Sequence, residues 1–335
     1  MNTLALEPSA AAPSPASPAP ASGGFASPTV TLRIFGVGNA GVNILETLLH
    51  RGNAEADFVA IDAEAASLAT SSAPAKLLLE TKRSRGAGTN GDPECGRALA
   101  EEHLDALAES CRGAEVVLIV TGLGGGAGAG ISPVLARVAK EAGDLVLACA
   151  VMPFDCESSH RQRQAQVCLD RLRALADGVV CLPNQQAVKQ LDERTPLVDM
   201  YRAVNELLAE GLAGLVRLLT RRGLIPIHLS ELCAVLRGRP AESLLANAEA
   251  HGPNRARDVI EKLFAHPLLE GGRALAAADT VIVSLNGGAD LSMADVNRVR
   301  EQINRQCESA QVLMGATVDP AFAERLNVTV MATRR

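Results

Sequence analysis

Aromatic residues are scarce in this sequence, which has no tryptophan, one tyrosine and six phenylalanines among 335 residues. Hydrophobic residues still make up 47% of the chain, so its cores have to be built from aliphatic side chains. Clusters of basic residues are missing too, and the formal net charge is -6. A nucleic-acid-binding protein would show a basic patch or stripe, so no nucleic-acid partner is predicted.

The eight cysteines lack the CxxC spacing and the other spacings of metal ligands. Most of them stand among apolar residues, as Cys149 does in LVLACAV. Buried, reduced thiols of a cytosolic protein are therefore favoured over disulfides or a metal site made by the chain itself.

Targeting and membrane segments are not apparent either. No cationic segment followed by an apolar one opens the chain, so no signal peptide is expected and a cytoplasmic location is predicted. An uncharged stretch, 116–136, contains the glycine-rich run GLGGGAGAG. Each glycine costs about 1 kcal/mol in a helix relative to alanine, so no membrane span is expected there.

Residues 1–28 are dominated by alanine, proline and serine. Such a segment buries too little apolar surface to offset the entropy lost on ordering, so it is predicted to be disordered. From residue 29 onwards strands and helices alternate, which predicts a parallel sheet covered by helices on both faces. The predicted strands are 29–35, 57–61, 114–121, 145–152 and 178–183, and the predicted helices are 42–51, 94–112, 131–142 and 158–176.

A long apolar-periodic segment then predicts one helix over 198–221 without a strand partner. Beyond it the pattern changes to that of a smaller α+β domain. Its predicted strands are 280–286, 311–318 and 326–332, and its predicted helix is 292–306. The fold class is therefore α/β, with predicted boundaries of 29–197 for the parallel-sheet domain, 198–222 for the central helix and 223–335 for the α+β domain.

A first glycine motif, Gly36-Val-Gly38-Asn-Ala-Gly41, stands between a predicted strand and a predicted helix. Asp62 ends the second strand about 20 residues later. This is the dinucleotide-binding fingerprint in its expected context, and taken alone it favours an NAD(P)-binding Rossmann domain. A tight strand-to-helix turn without a ligand is the alternative.

A second motif, the run GLGGGAGAG at 122–130, follows a predicted buried strand and opens the next helix. Its backbone N–H groups can form a concave anion site, to which the helix N-terminus adds partial positive charge. A dinucleotide fold needs one such loop, whereas two on nearby strands suit a longer phosphate chain. No GxxxxGK[ST] occurs, which excludes a P-loop. A flexible linker is the other interpretation, but linkers rarely connect a buried strand to a helix.

Both motifs resemble those of the FtsZ family in the tubulin superfamily. GLGGGAGAG is similar to the signature GGGTGTG, and GVGNAGVN at 36–43 is similar to the family's opening GVGGGGGN. Similar segments follow in the family's order at 86–88, 93–97, 153–154, 183–184, 198–207, 267–270 and 286–291. The resemblance covers roughly residues 30–333, and it implies a nucleotide-binding domain for GTP or GDP with Mg²⁺, followed by a C-terminal domain for assembly and GTPase activation.

The resemblance also implies roles for individual residues. The glycine loops would hold phosphates by backbone N–H, and the turn at 86–89 would close over the γ-phosphate. Glu157 would accept a hydrogen bond from the ribose, and Arg161 would reach the sugar or the phosphates. The implied nucleotide-binding residues are Gly36, Gly38, Asn39, Gly41, Asn43, Gly86, Ala87, Gly88, Thr89, Gly122, Gly124, Gly125, Gly126, Ala127, Gly128, Glu157, Arg161, Asn184, Tyr201, Asn205 and Glu206.

The base would be read by Asn184, Asn205 and Glu206, with Tyr201 stacked on its face. A carboxylate facing the two N–H donors of guanine discriminates against adenine, which offers it an acceptor instead. Asn205 and Glu206 are adjacent, so on one helix they diverge by about 100°. For Tyr201, packing in the core is the alternative.

The sequence departs from the family in two loops beside the implied phosphates. Ala127 and Ala129 replace the usual threonines, and if those hydroxyls contact phosphate each loss costs about 0.5–1.5 kcal/mol. The backbone anion site survives this change. Gly91 and Asp92 resemble an insertion, in which Asp92 would repel the γ-phosphate unless Mg²⁺ lies between them.

A third departure concerns catalysis, because GLIPIHLSE at 223–231 stands where the family has GLxNxDxxD. The family's loop enters the next subunit's nucleotide site and aligns the attacking water, so Glu231 and His228 are the implied catalytic residues. Pro226 removes an amide group, and His228 changes the charge. The alternative is that the loop merely connects two domains.

The resemblance thus predicts a GTP-dependent, filament-forming cytoskeletal protein of bacterial cell division, with slow hydrolysis at a site shared between subunits. Its predicted partners are copies of itself, head to tail, and another FtsZ or division proteins. The sequence stops at Arg335, where the family usually continues into a tail that recruits membrane tethers, so no direct membrane binding is predicted. A GTP-binding scaffold without significant hydrolysis and, more remotely, an NAD(P) oxidoreductase are the alternatives.

Deleting residues 1–28 should leave the melting temperature and the affinity for GTP nearly unchanged, because a disordered segment contributes nothing to a core. Thermal unfolding and GTP titration of the truncated and full-length chains check this prediction. A large drop in melting temperature would show that the segment packs on the body.

Overall fold

The computed structural model describes residues 30–52, 55–80, 88–189, 191–192, 194–221, 223–237 and 242–334. The extension 1–28 and the implied phosphate-loop residues Gly86 and Ala87 lie outside these ranges. Among the residues described, no helix is long and apolar enough to cross a membrane.

One ten-stranded sheet runs through the structure. Its strands are β1 (Leu32–Val37), β2 (Asp57–Asp62), β3 (Ala75–Leu78), β4 (Val116–Gly122), β5 (Leu145–Met152), β6 (Gly178–Pro183), β7 (Glu242–His251), β8 (Thr280–Gly287), β9 (Gln311–Val318) and β10 (Arg325–Arg334). Their order across the sheet is β3-β2-β1-β4-β5-β6-β7-β10-β8-β9. The strands from β3 to β6 are parallel neighbours, whereas β10 pairs antiparallel with β7 and β8. The predicted α/β class, with a smaller α+β part, is confirmed.

Helices cover both faces of the sheet. They are α1 (Gly38–His50), α2 (Ala65–Ala69), α3 (Pro93–Glu102), α4 (Leu104–Cys111), α5 (Gly126–Ala142), α6 (Ser159–Leu175), α7 (Asn184–Ala187), α8 (Leu197–Thr220), α9 (Leu229–Leu236), α10 (Arg255–Phe264), α11 (Arg273–Ala276) and α12 (Met293–Gln306), with 3-10 helices at Pro267–Gly272 and Pro320–Phe322. Alternate residues of β4 enter two aliphatic cores: Leu118 and Val120 join α1 and α8, whereas Val117 and Ile119 join α5 and α6. Burial on both faces explains why β4 is apolar without interruption.

The structure confirms the eight predicted strands, with end shifts of a few residues, and corrects several helix boundaries. α1 begins at Gly38 and α5 at Gly126, earlier than the predicted residues 42 and 131, because glycines interpreted as turns are already helical. The predicted helix 94–112 is divided at His103 into α3 and α4. β3 and β7 are missed: β3 is a short edge strand, and β7 is rich in alanine and glutamate, which strands disfavour.

The long helix α8 lies against both halves of the sheet. Its 24 residues span about 36 Å at 1.5 Å per residue. Gly214 lets α8 approach β10, because a Cβ at that position would overlap the side chain of Thr329. Gly211 likewise faces Leu245 of β7, whose side chain would lie 2.8 Å from an added Cβ. Small residues therefore set the distance between α8 and the C-terminal part of the sheet.

His266 makes the stability of this C-terminal part depend on pH. The residue is buried, and its Nδ1 accepts a hydrogen bond of 3.3 Å from the N–H of Leu268. Burial lowers the pKa of His266 from 6.5 to about 4. In the unfolded chain, His266 takes up a proton as the pH falls below its ordinary pKa of 6.5. In the folded chain, the same side chain stays neutral until the pH approaches about 4. The free energy of unfolding should therefore fall by up to about 3 kcal/mol as the pH drops through this window.

Chemical denaturation of wild type and His266→Asn between about pH 7 and pH 4 checks this expectation. Asparagine keeps an acceptor for the Leu268 N–H but takes up no proton. The variant should lose less stability than wild type over the window, by about 3 kcal/mol. Equal pH dependence of the two proteins would contradict the assignment.

Candidate functional site

A cavity of about 560 Å³ opens at the carboxyl ends of the parallel strands. Ligands bind at this edge of a doubly wound sheet, and the volume suits a nucleotide-sized molecule. The sequence-predicted residues that line it are Gly38, Asn39, Asn43, Thr89, Gly122, Gly124, Gly125, Gly126, Ala127, Gly128, Glu157, Arg161, Asn184, Tyr201 and Asn205. The structure therefore brings most of the predicted site into one space.

The two glycine loops meet in this cavity. Gly38 has a φ of 71°, which favours glycine, and a Cβ added to it would lie 2.8 Å from the backbone nitrogen of Gly128. A Cβ on Gly128 would in turn overlap the carbonyl oxygen of Gly122. The first turns of α1 and α5 can stand side by side only because these positions carry no side chain.

Both helix N-termini are open to a ligand. Neither α1 nor α5 has a side chain that caps its first turn, and neither carries an acidic residue there. A Cβ added to Gly125, the N-cap of α5, would meet nothing within 4 Å. The unpaired N–H groups and the partial positive charges of two helices are therefore directed at the same space. A polyphosphate is the kind of anion that such a site binds.

Acidic side chains line the same cavity. Asp62 is 2% exposed at the end of β2, and its Oδ1 accepts a hydrogen bond of 2.7 Å from the N–H of Ala63. Its Oδ2 is buried without a hydrogen-bond partner. Glu64, two residues later in the sequence, also lines the cavity. Carboxylates next to a polyphosphate call for a divalent cation between them, so these residues fit Mg²⁺.

The described side chains alone do not complete such a metal site. In the described ranges, no group of three or more His, Cys, Asp or Glu side chains could hold a metal ion. Water and phosphate oxygens would therefore supply most of the ligands, as Mg²⁺ commonly requires.

Groups suited to a planar base come from α7 and α8. Tyr201 is 42% exposed, and its ring meets Phe154 edge to face with centroids 5.0 Å apart. Asn184 is 4% exposed, and its Oδ1 has no hydrogen-bond partner. Asn205 lines the cavity one turn beyond Tyr201. A half-exposed ring for stacking and an amide with an unsatisfied atom are what a heterocyclic base can use.

Glu157 and Arg161 are held together beside the cavity at the start of α6. Glu157 accepts a hydrogen bond of 2.8 Å from the N–H of Phe154 with Oε1, and its Oε2 pairs with the Arg161 guanidinium at 2.8 Å. Among the described lining residues, Arg161 is the only cationic side chain. Most of the positive potential in the cavity must therefore come from the helix N-termini.

Glu206 lies outside the cavity, unlike its neighbour Asn205. Its Oε2 is 2.5 Å from a guanidinium nitrogen of Arg51, which also pairs with Glu210 at 3.0 Å. Successive residues of a helix diverge by about 100°, and this turns Glu206 toward the C-terminal end of α1. The structure assigns Glu206 to an ion pair between α8 and α1, and no base contact follows from its position.

Three predicted glycines also lie outside the described lining. Gly36 and Gly41 are packing residues. A Cβ on Gly36 would lie 2.8 Å from the Gly41 carbonyl oxygen, and a Cβ on Gly41 would overlap the Val120 carbonyl oxygen. Together they hold α1 against β1 and β4. A Cβ on Gly88 would lie 2.7 Å from the Glu64 carboxylate, so Gly88 keeps the loop close to that side chain.

The loop with the proposed insertion has an ordinary structural role. Thr89 is 4% exposed and packs against Gly126 in the first turn of α5. Asp92 is the N-cap of α3, and its side chain accepts a hydrogen bond of 2.9 Å from the N–H of Glu94. Gly91 lines the cavity, whereas Asp92 does not. The expected repulsion between Asp92 and a phosphate does not follow from this placement.

The two candidate catalytic residues stand away from the cavity, at the start of α9. Glu231 accepts a hydrogen bond of 2.8 Å from the N–H of His228, in the manner of a capping box, and the N–H of Glu231 donates to the His228 carbonyl at 3.0 Å. The preceding Ile225 pairs with Ala316 of β9 through backbone hydrogen bonds of 3.0 and 3.2 Å. The loop is therefore anchored on the C-terminal part of the sheet.

Several lining residues are not singled out by sequence reasoning. They are Ala40, Ile44, Glu64, Leu123, Val151, Met152 and Val204. Val151 and Met152 end β5, and Glu64 follows the end of β2. Position at the carboxyl end of a parallel strand is the signal that could have identified these three residues.

Two family models match the chain. The Tubulin/FtsZ family, GTPase domain, matches residues 31–192, and the FtsZ family, C-terminal domain, matches residues 242–334. Together they include the two glycine loops and the C-terminal strands.

Solved structures of both FtsZ and CetZ are similar to this chain. The empty FtsZ dimer of M. jannaschii is 28% identical, with a TM-score of 0.83 over 91% of this chain and 88% of that chain. CetZ2 from Haloferax volcanii, a GTPgS-bound protofilament, is 25% identical, with a TM-score of 0.74 over 91% and 94%. GDP-bound CetZ1 from the same organism is 22% identical, with a TM-score of 0.76 over 90% of this chain and 93% of that chain. At this identity the similarity supports the fold alone.

Gly41→Ala and Gly125→Ala should separate packing from ligand binding. The first places a methyl group against the Val120 carbonyl and should lower the free energy of unfolding by about 1–3 kcal/mol. The second adds a methyl group to open space in the cavity, so stability should hold within about 0.5 kcal/mol while affinity for GTP falls about tenfold or more. Denaturant titration and nucleotide titration of both variants decide this. Unchanged GTP affinity of Gly125→Ala would contradict phosphate binding at the N-terminus of α5.

Proposed function

The chain belongs to the tubulin/FtsZ family, and on that premise we propose that it binds GTP and GDP with Mg²⁺ in the cavity and assembles head to tail into filaments. One observation carries the proposal: the uncapped N-termini of α1 and α5 converge on a single cavity through two glycine loops. A dinucleotide fold uses one such loop. The NAD(P) oxidoreductase considered from the first motif is therefore not supported.

Exposed apolar residues at the two ends of α8 support head-to-tail assembly. Leu197 and Val198, at its start beside the cavity, are 56% and 70% exposed. Leu224, just beyond its other end, is 74% exposed, and Ile225 next to it is 36% exposed. When subunits stack with the same orientation, the apolar residues at one end of α8 in one subunit meet those at the other end of α8 in the next subunit. Both sets are then covered. Such a contact does not close on itself and produces an open filament.

Hydrolysis at the subunit boundary is the finer part of the proposal. If the loop before α9 enters the next subunit's cavity, Glu231 orients or deprotonates the attacking water and His228 sets the local charge. Mg²⁺, when bound, neutralises the phosphate charge that builds up during cleavage. Glu231 accepts the His228 N–H with Oε2, so its Oε1 remains available to accept a hydrogen bond from water.

The capping box also favours a second candidate function, a GTP-binding scaffold that assembles without significant turnover. Glu231 already satisfies a backbone N–H at the start of α9, a role that needs no catalysis. Pro226 stands in the same loop and restricts its backbone. Assembly would then depend on nucleotide binding alone.

We place the protein in bacterial cell division, with itself and a second FtsZ or other division proteins as partners, on the resemblance of its motifs to FtsZ. The M. jannaschii FtsZ structure is a dimer and the CetZ2 structure is a protofilament, which agrees with self-association. Chromatography of the nucleotide released from the purified, denatured protein is the direct test of the bound ligand. Release of guanine nucleotides would support the proposal, and release of NAD(P) would contradict it.

Glu231→Gln should keep GTP binding and filaments while slowing hydrolysis about 100-fold or more, because glutamine retains the cap but loses the negative charge. Phosphate release measured against protein concentration checks both parts. Turnover per wild-type subunit should rise steeply with concentration. Glu301→Gln, an exposed change on α12, is the control and should match wild type. Turnover near zero in both proteins would favour the scaffold, and equal, measurable turnover in both would remove Glu231 from catalysis.

A further inference from the structure

A second cavity, of about 570 Å³, lies between α8 and the C-terminal part of the sheet. We call it the α8 cleft and define it by Arg51, Arg217, Lys262, Phe322, Arg325 and Asn327. Its volume is within the range of small-molecule sites. None of these residues belongs to the nucleotide cavity described above.

The charge of the α8 cleft is unbalanced. Its described lining carries four cations against two carboxylates, Glu210 and Glu249, and Glu206 outside the lining also pairs with Arg51, which leaves a net charge of +1. Glu210 pairs with Arg51 at 3.0 Å, and Glu249 pairs with Arg325 at 3.3 Å. Both carboxylates are therefore already used, and no acid of the lining remains for the other two cations.

Arg217 is half-buried and has no counter-ion among the described residues. Its Nε is buried without a hydrogen-bond partner, and across the described ranges Arg217 forms no ion pair. The nearby acids are engaged elsewhere, because Arg221 pairs with Glu55 at 2.8 Å and also with Asp319. Burial and the charge of Arg221 lower the pKa of Arg217. A half-buried guanidinium without a counter-ion is stabilised when an anion joins it.

Phe322 holds two guanidinium groups in place. The central carbon of Arg217 lies 5.1 Å from the centroid of the ring, and that of Arg325 lies 4.9 Å from it. Asp319 caps the 3-10 helix that carries Phe322 by accepting a hydrogen bond of 2.9 Å from the N–H of Ala321. The two cations are thus positioned before any ligand binds, which lowers the entropy lost on binding.

Asn327 gives an independent indication of a missing ligand. The residue is 4% exposed on β10 and lines the α8 cleft, yet its Oδ1 is buried without a hydrogen-bond partner. Side chains two residues apart on a strand point to the same face of the sheet. Thr329 faces Gly214 of α8, so the side chain of Asn327 also points to the α8 side. Buried polar groups in native proteins are almost always paired. This oxygen can only accept, so it would be satisfied by a ligand that donates a hydrogen bond, such as the O–H of hydrogen phosphate.

From these observations we propose that the α8 cleft binds a small dianion carrying phosphate or carboxylate groups, held by Arg217, Lys262 and Arg325. Guanidinium groups bind both kinds of anion through paired, charge-assisted hydrogen bonds. The cleft is lined by α8 on one side and by β7 and β10 on the other, so a bound dianion fixes their relative position. Since α8 also carries Tyr201 and Asn205, the ligand would bias the nucleotide end of the same helix.

Calorimetric titration with inorganic phosphate and with succinate, at constant ionic strength, tests the proposal on the intact chain. Wild type should show saturable binding of at least one of the two. Arg217→Gln should weaken it about 10- to 100-fold, as expected for the loss of a charge-assisted contact. Arg202→Gln lies on the same helix with a side chain that is 68% exposed, and it should bind like wild type. Tighter binding of one probe identifies the anionic group.

Two further variants keep the result decisive. Lys262→Gln changes an exposed side chain, so it should fold and still bind the dianion more weakly, even if Arg217→Gln is unstable. Gly125→Ala alters the nucleotide cavity and should leave dianion binding unchanged, which separates this proposal from the proposed function. Binding lost in Gly125→Ala but kept in Lys262→Gln would place the anion among the glycine loops and overturn the proposal. The absence of saturable binding to wild type would overturn it as well.

Discussion

The approach of backbone to backbone between α1, β4 and α5 is the contact on which the rest of the molecule depends. Gly41 lies against the carbonyl of Val120, and Gly38 lies against the backbone of Gly128. Side chains at these points would push the two helices apart and separate their first turns. When the first turns of α1 and α5 are in contact, two helix N-termini with partial positive charge face the same space. Their mutual repulsion is unfavourable until an anion occupies that space. The glycine loops are therefore a condition of packing as well as of binding.

The charges around the nucleotide cavity fit a polyphosphate that carries a divalent cation better than a bare polyphosphate. Asp62, Glu64 and Glu157 contribute negative charge, while Arg161, already paired with Glu157, is the only cation of the described lining. A bare triphosphate would meet acids as well as helix ends, whereas its complex with a divalent cation presents both signs. The buried, unpartnered Oδ2 of Asp62 fits this arrangement, because such a carboxylate oxygen would help to hold Mg²⁺ beside the phosphates.

Much of the fold followed from periodicity and glycine placement, since buried strands and helix starts leave strong local patterns. The parallel strands β1, β2, β4, β5 and β6 and most residues of the cavity were accessible in this way. Details that depend on tertiary contacts were not. The phase of α8, which directs Glu206 to Arg51, is set by packing against α1, and the capping role of Asp92 depends on where α3 begins. The capping role of Glu231 was not foreseen, because a capping box with histidine at the N-cap has no familiar sequence signature.

The lone tyrosine has a consequence for how the molecule can be observed. With no tryptophan in the chain, the near-ultraviolet absorption and emission of the folded protein come almost entirely from Tyr201. That ring stands half exposed at the mouth of the nucleotide cavity and beside Leu197 and Val198. Its optical signal therefore reports on one location, where base, helix and neighbouring subunit would meet. A change in that signal is spatially assigned without any label being introduced.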